Sequence, residues 1–169
     1  MIPRSAWALM VPMSLSVSYA GGWWDLPIII VVGAWVIGGL WLWLIWDAHR
    51  HDMTPRAARN RRWEGWLRII LCVGYLFLGA ESLVTGHPIA QGWLAWKALL
   101  FGGIFAAAIM IDHRFKPVGG QLGKLIAEGS SDATELPLRA TMDRTRRWVW
   151  VTYVLLVVTA WFGVVKPLP

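Results

Sequence analysis

Glu81 and Lys97 are the residues whose types and spacing most invite chemistry. Each stands eight residues from Ile89, near the centre of the short segment 86–92, and each lies in an otherwise apolar stretch. On paired helices rising about 1.5 Å per residue, equal distance from a turn implies similar depth. A carboxylate and an ammonium so placed can form an ion pair. With Asp25 and His87 toward the same side, they can instead wall a small polar site. Lys97 and Glu81 are then the candidate cofactor-binding residues, and His87 and Asp25 the candidate metal-binding residues. Ionisable groups within apolar spans are costly and face a partner, a cavity or the interface. Snorkelling of Lys97 to the headgroups is the bland alternative.

Other chemistry is thinly represented. His49, His51, Asp52 and Met53 lie close together, but a metal site there needs a defined geometry and further ligands. Cys72 is the single cysteine, so no internal disulfide forms and no CxxC spacing exists. No GxGxxG or phosphate-loop pattern appears, and no Ser-His-Asp arrangement can be assigned. So few catalytic groups favour a non-enzymatic role, with no catalytic residue to name.

The elements that must position these residues are read from composition. The chain of 169 residues is 57% hydrophobic and 15% charged, against about 25% charged in soluble domains. A soluble fold of this size has too little interior for that apolar surface. Four stretches reach the roughly 20 apolar residues that a spanning helix needs: 23–46, 67–85, 93–111 and 148–165. Backbone in hydrocarbon must satisfy its own hydrogen bonds, and no alternating ten-residue strands suggest a barrel. The expected fold is all-α, a polytopic membrane four-helix bundle. Residues 23–169 form its transmembrane domain, preceded by an extra segment, 1–22.

Charge orients the bundle. Twelve of the sixteen basic residues fall in the segments 47–66 and 112–147, and none falls in 86–92. Basic loops stay in the cytoplasm, so both basic segments are expected inside, and the hairpin and C-terminus are expected on the periplasmic face of a bacterial inner membrane. The net charge of +6 is then explained by anionic lipid rather than nucleic acid. Arg59, Arg61, Arg62, Arg144, Arg146 and Arg147 are the expected lipid-facing basic positions. Tryptophans, which favour the headgroup level, mark the same boundaries: Trp23, Trp24, Trp93, Trp96 and Trp161 outside, Trp41, Trp43, Trp46, Trp63, Trp66, Trp148 and Trp150 inside.

Residues 1–22 read as signal-like, with Arg4, an apolar run and Ser18-Tyr19-Ala20 before Gly21. Pro12 and weak hydrophobicity favour an uncleaved membrane-associated segment instead. In the second basic segment, Val118, Leu122, Leu125 and Ile126 recur at helical spacing, which predicts an amphipathic helix in the interface. Gly129-Ser130-Ser131-Asp132 should end it and cap the next helix. The last helix should begin before the membrane, near Leu138, with Arg139, Asp143 and Arg147 on one face. Gly33, Gly38, Gly39, Gly102 and Gly103 offer small surfaces for close helix packing.

Trp35-Val36-Ile37-Gly38-Gly39 and Trp93-Leu94-Ala95-Trp96-Lys97 resemble short motifs of small bacterial four-helix membrane proteins, the CopD-like (copper-resistance) and HemJ-like (protoporphyrinogen oxidase) families. The resemblance covers about Asp25 to Pro167. Its HemJ-like branch implies a haem-linked oxidase with a histidine in the first helix and a lysine in the third. Lys97 matches that lysine, whereas no histidine stands in the first helix. Its CopD-like branch implies copper handling, but the spans hold no histidine and Cys72 and Met110 are isolated.

The leading functional expectation is an accessory or assembly subunit, or a scaffold, in a larger membrane complex or homo-oligomer, with a small polar site near the periplasmic side. The alternatives are a haem-linked redox enzyme of HemJ-like type and a copper or small-solute permease of CopD-like type.

Overall fold

Long apolar runs with no polar partner for the backbone have one solution in lipid, and the chain takes it. A computed structural model describes residues 2–167 and shows six helices: α1 (Ile2–Ala20), α2 (Ile28–Arg50), α3 (Pro55–Thr85), α4 (Gly92–Phe115), α5 (Val118–Glu128) and α6 (Asp132–Val165). No strand occurs among the described residues. Four helical spans are long and apolar enough to cross a membrane, beginning at Ile28, Pro55, Gly92 and Asp132. The chain is thus an all-α, multi-pass membrane protein. One end of the bundle carries both basic segments, and the other carries the α3–α4 hairpin and the end of α6.

Helix ends follow local chemistry more closely than hydropathy does. The expected first span begins at residue 23, but α2 starts only after Pro27, its N-cap. The expected basic loop 47–66 is mostly helical, because α2 runs to Arg50 and Thr54 caps α3, its side chain accepting from Ala57 N at 3.3 Å with Pro55 at the first position. Arg56, Arg59, Arg61 and Arg62 therefore stand on the first turns of α3 rather than on a loop. Gly129 (φ 81°) ends α5, and Ser131 with Thr134 forms a capping box that starts α6 at Asp132, earlier than Leu138. Asp143 pairs with Arg146 at 3.0 Å, not with Arg139 or Arg147.

Helix contacts run in the order α1–α2–α3–α4–α6, with α5 lying against α6. α4 is central: 39% of the apolar window of the span beginning at Gly92 is buried within the chain, against 6% for the span of α6. The α3–α4 contact is the closest. A Cβ on Gly102 would lie 2.8 Å from the backbone nitrogen of Leu76, and one on Gly79 2.7 Å from the Cα of Leu99. Gly38 serves α1 similarly, where a Cβ would lie 3.0 Å from Cγ of Pro12. Gly33 and Gly39 meet nothing within 4 Å, so these two contribute no close packing within the chain.

α1 runs the length of the bundle from Arg4, which lines a cavity with Asp112 at the basic end, to Ser18, which lines one with Trp24 at the hairpin end. Ala8 and Val11 are buried with Trp41, Ile45, Cys72 and Phe105. Three of its serines bond within the helix: Ser14, Ser16 and Ser18 donate to the carbonyls of Val11, Pro12 and Ser14 at 2.8, 2.8 and 2.9 Å. Trp35 of α2 donates its indole N–H to Ser16 at 3.0 Å, which satisfies the one mid-span tryptophan. Among the described residues α1 and α6 make no extended contact. The ring of helices is open along that seam.

Candidate functional site

Two cavities lie along the α1–α6 seam, one toward each end of the bundle. The larger, about 490 Å³, is at the hairpin end between α1, α3, α4 and α6. Its walls are apolar, from Met10, Leu15, Leu78, Leu94, Phe101 and Leu156 among others, and its polar groups include Lys97, Tyr75, Ser14, Ser18 and Thr159. That composition and size match small-molecule sites, roughly 300–1,000 Å³ with a few polar groups on apolar walls.

Lys97 enters this cavity from the second turn of α4. It is half-buried, and among the described residues it makes no ion pair or hydrogen bond. Its ammonium lies over Gly163 of α6, where a Cβ would be 2.7 Å from Nζ, and 5.9 Å from the centre of the Trp93 ring. Lys166 approaches the same indole at 5.0 Å and the Trp23 ring at 4.5 Å. Trp23 and Trp93 meet edge to face with centroids 5.3 Å apart. Two cations thus share one aromatic platform beside the cavity, held by cation–π attraction. Among the described residues the buried hydroxyl of Tyr75 also has no hydrogen-bond partner. Ser14 is its polar neighbour, but the Ser14 hydroxyl already donates to the Val11 carbonyl.

The expected Glu81–Lys97 pair is not formed. Glu81 is exposed, while its neighbour Ser82 is buried and accepts from Ile89 N at 3.3 Å. Equal distance from the hairpin fixes depth, but rotation about the α3 axis turns Glu81 away from α4. Asp25 is exposed before α2, and His87 is exposed on the hairpin. Neither lines the cavity. No group of three or more His, Cys, Asp or Glu side chains placed to hold a metal exists among the described residues.

The haem that the resemblance implies can be tested against these donors. No imidazole lines either cavity; the larger offers the Lys97 amine, the Tyr75 phenol and the Met10 and Met13 thioethers. His49 and His113 sit in the last turns of α2 and α4 at the basic end, and His51 caps α2 there. The donor set does not fit a histidine–lysine haem site.

The basic end carries a network that the sequence pattern does not announce. Asp47, 8% exposed, accepts from Arg56 at 2.8 and 2.6 Å and from Asn60 at 2.6 Å, which ties the end of α2 to α3. Arg68 pairs with Glu64 on its own helix and with Asp112 of α4. It borders the smaller cavity, about 280 Å³, with Arg4 and Trp41. Thr54-Pro55 signals the helix start that aims Arg56 back at Asp47; nothing in the sequence signals the Arg68 pairing. Hydrogen bonds from Arg61 and from Met53 N at 3.0 Å, together with the Arg61 charge, hold the Asp52 carboxyl below the usual carboxylate range.

Aromatic rings separate the two cavities. Phe105, fully buried, meets Trp7 at 5.2 Å and Trp41 at 6.3 Å on one side and Phe101 at 5.2 Å on the other. Phe105 thus packs against rings that line both cavities, Trp7 and Trp41 of the smaller and Phe101 of the larger. No family model matches this chain, and no curated protein or solved structure shows significant similarity to it.

Proposed function

We propose that this is a non-enzymatic binding protein of the bacterial inner membrane, an accessory subunit or scaffold within a larger membrane complex, whose binding site is the cavity at the hairpin end. Lys97 carries the reading: a cation with no carboxylate partner among the described residues, placed at a cavity large enough for a small molecule. An unpaired charge at this depth is costly unless a cavity or a bound partner compensates it. The cavity's donors, one amine and a few hydroxyls on apolar walls, suit recognition of a ligand better than the paired nucleophile and base that catalysis calls for. The basic end faces the cytoplasm by the positive-inside rule, with the two lysines on the periplasmic side.

Gentle purification from native membranes followed by native mass spectrometry tests this reading. The expected spectrum shows the chain with a retained protein partner or small molecule, and Lys97→Ala reduces the small-molecule signal. A chain that runs alone, with nothing bound in either form, overturns it. A stoichiometric Soret band in the absorption spectrum would replace it with the haem-linked alternative.

A further inference from the structure

We propose that the α1–α6 seam holds one anionic amphiphile, its carboxylate or phosphate head between Lys97 and Lys166 and its hydrocarbon chain in the cavity. This rests on the reading of that cavity as the binding site and names its ligand class. Three observations converge. Lys97 and Lys166 are like charges gathered on the Trp93 ring, with no ion pair to either among the described residues. Like charges held together repel each other, and an anion between them offsets both that repulsion and the cost of burying the Lys97 charge.

The space below the cations is walled mostly by apolar side chains. Leu15, Leu78, Phe101 and Leu156 wall it, so a hydrocarbon chain arriving from the bilayer keeps an apolar environment there and gains van der Waals packing against these side chains. The seam is also open sideways, because among the described residues α1 and α6 make no extended contact, so a lipid enters from the bilayer without crossing an aqueous barrier. Lys97 lies five residues after Gly92, the start of α4, or about 7.5 Å along the helix. That depth suits a head near the headgroup layer with its chain descending toward Phe105. A transmembrane helix, about 10 Å across with its side chains, is an inferior occupant of a cavity of about 490 Å³.

The test is native mass spectrometry of the full-length protein reconstituted with phosphatidylglycerol, a long-chain fatty acid or phosphatidylcholine, each in turn, and challenged with inorganic phosphate. The expected result is one retained anionic lipid or fatty acid per chain, at least tenfold preferred over phosphatidylcholine. The double variant Lys97→Gln/Lys166→Gln should lose that preference. Ala160→Phe, at an exposed wall position on α6, should abolish retention while the thermal unfolding midpoint stays unchanged. Equal retention of phosphatidylcholine, or displacement by inorganic phosphate alone, overturns the amphiphile. A retained neutral molecule that Ala160→Phe expels keeps the cavity as the binding site and overturns only the ligand class. Retention that survives Ala160→Phe overturns both. A bound transmembrane partner that fills the seam in place of lipid also overturns the proposal.

Discussion

The ammonium of Lys97 lies over Gly163, close enough that a Cβ there would approach Nζ to 2.7 Å. The conflict involves the far end of a flexible side chain, so Gly163→Ala should move Lys97 rather than α6. Replacing a helical glycine by alanine is worth up to about 1 kcal/mol. The unfolding midpoint in detergent is therefore expected to hold or rise, while retention of an anionic lipid falls severalfold. A lower midpoint with unchanged retention would mean that the glycine serves helix packing and not the lysine.

The α3–α4 glycines should behave in the opposite way. A Cβ on Gly79 would lie 2.7 Å from Cα of Leu99, and one on Gly102 would lie 2.8 Å from N of Leu76. Backbone cannot yield as a lysine tip does. Overpacking costs roughly 1–3 kcal/mol, so Gly79→Ala and Gly102→Ala should each lower the unfolding midpoint. Gly33→Ala, with nothing within 4 Å, is the control and should not. Equal midpoints for all three would show that the helices separate freely at this contact.

Arg68 joins α3 to α4 through Asp112 and pairs with Glu64 on its own helix. Glu64 is 3% exposed, so Arg68→Ala strands a buried carboxylate. Removing one partner of a buried pair costs about 3–5 kcal/mol; the exposure of Asp112 places the expected loss near the lower figure. Glu64→Gln in the same chain should recover much of it, because the stranded charge is gone. A double-mutant cycle on thermal or denaturant unfolding checks this, and additive effects would refute the coupling.

Depth is legible in the sequence and azimuth is not. The spans follow from hydropathy, and the level of Lys97 follows from its distance to the hairpin. Glu81 is misplaced by the same arithmetic because it says nothing about rotation: α3 turns Cys72, Gly79 and Ser82 inward and leaves Glu81 outside. α1 is ambiguous in the sequence because Arg4, Pro12 and its serines depress its hydropathy, although the hydroxyls of Ser14, Ser16 and Ser18 are satisfied by the helix's own carbonyls. The lysine pair is invisible there because Lys166 reaches Trp23 and Trp93 only once α6 has returned beside α4. That proximity is tertiary, and no local spacing encodes it.

Orientation gives the last prediction. Cys72 is the only cysteine of the chain and is buried against the Gly102 carbonyl, its Sγ 3.4 Å from that oxygen. It should stay silent to maleimide in intact membranes and react only after denaturation, so the wild-type chain is a clean background for labelling. Ser130→Cys, exposed between α5 and α6, and His87→Cys, exposed on the hairpin, lie at opposite ends of the bundle. Excess Lys and Arg in the segments flanking the spans sets insertion direction. A membrane-impermeant maleimide added to intact spheroplasts should therefore label His87→Cys and spare Ser130→Cys, and inverted vesicles should reverse the pattern. The reverse result in spheroplasts would put Lys97 and Lys166 on the cytoplasmic face and require the anionic amphiphile to come from the inner leaflet.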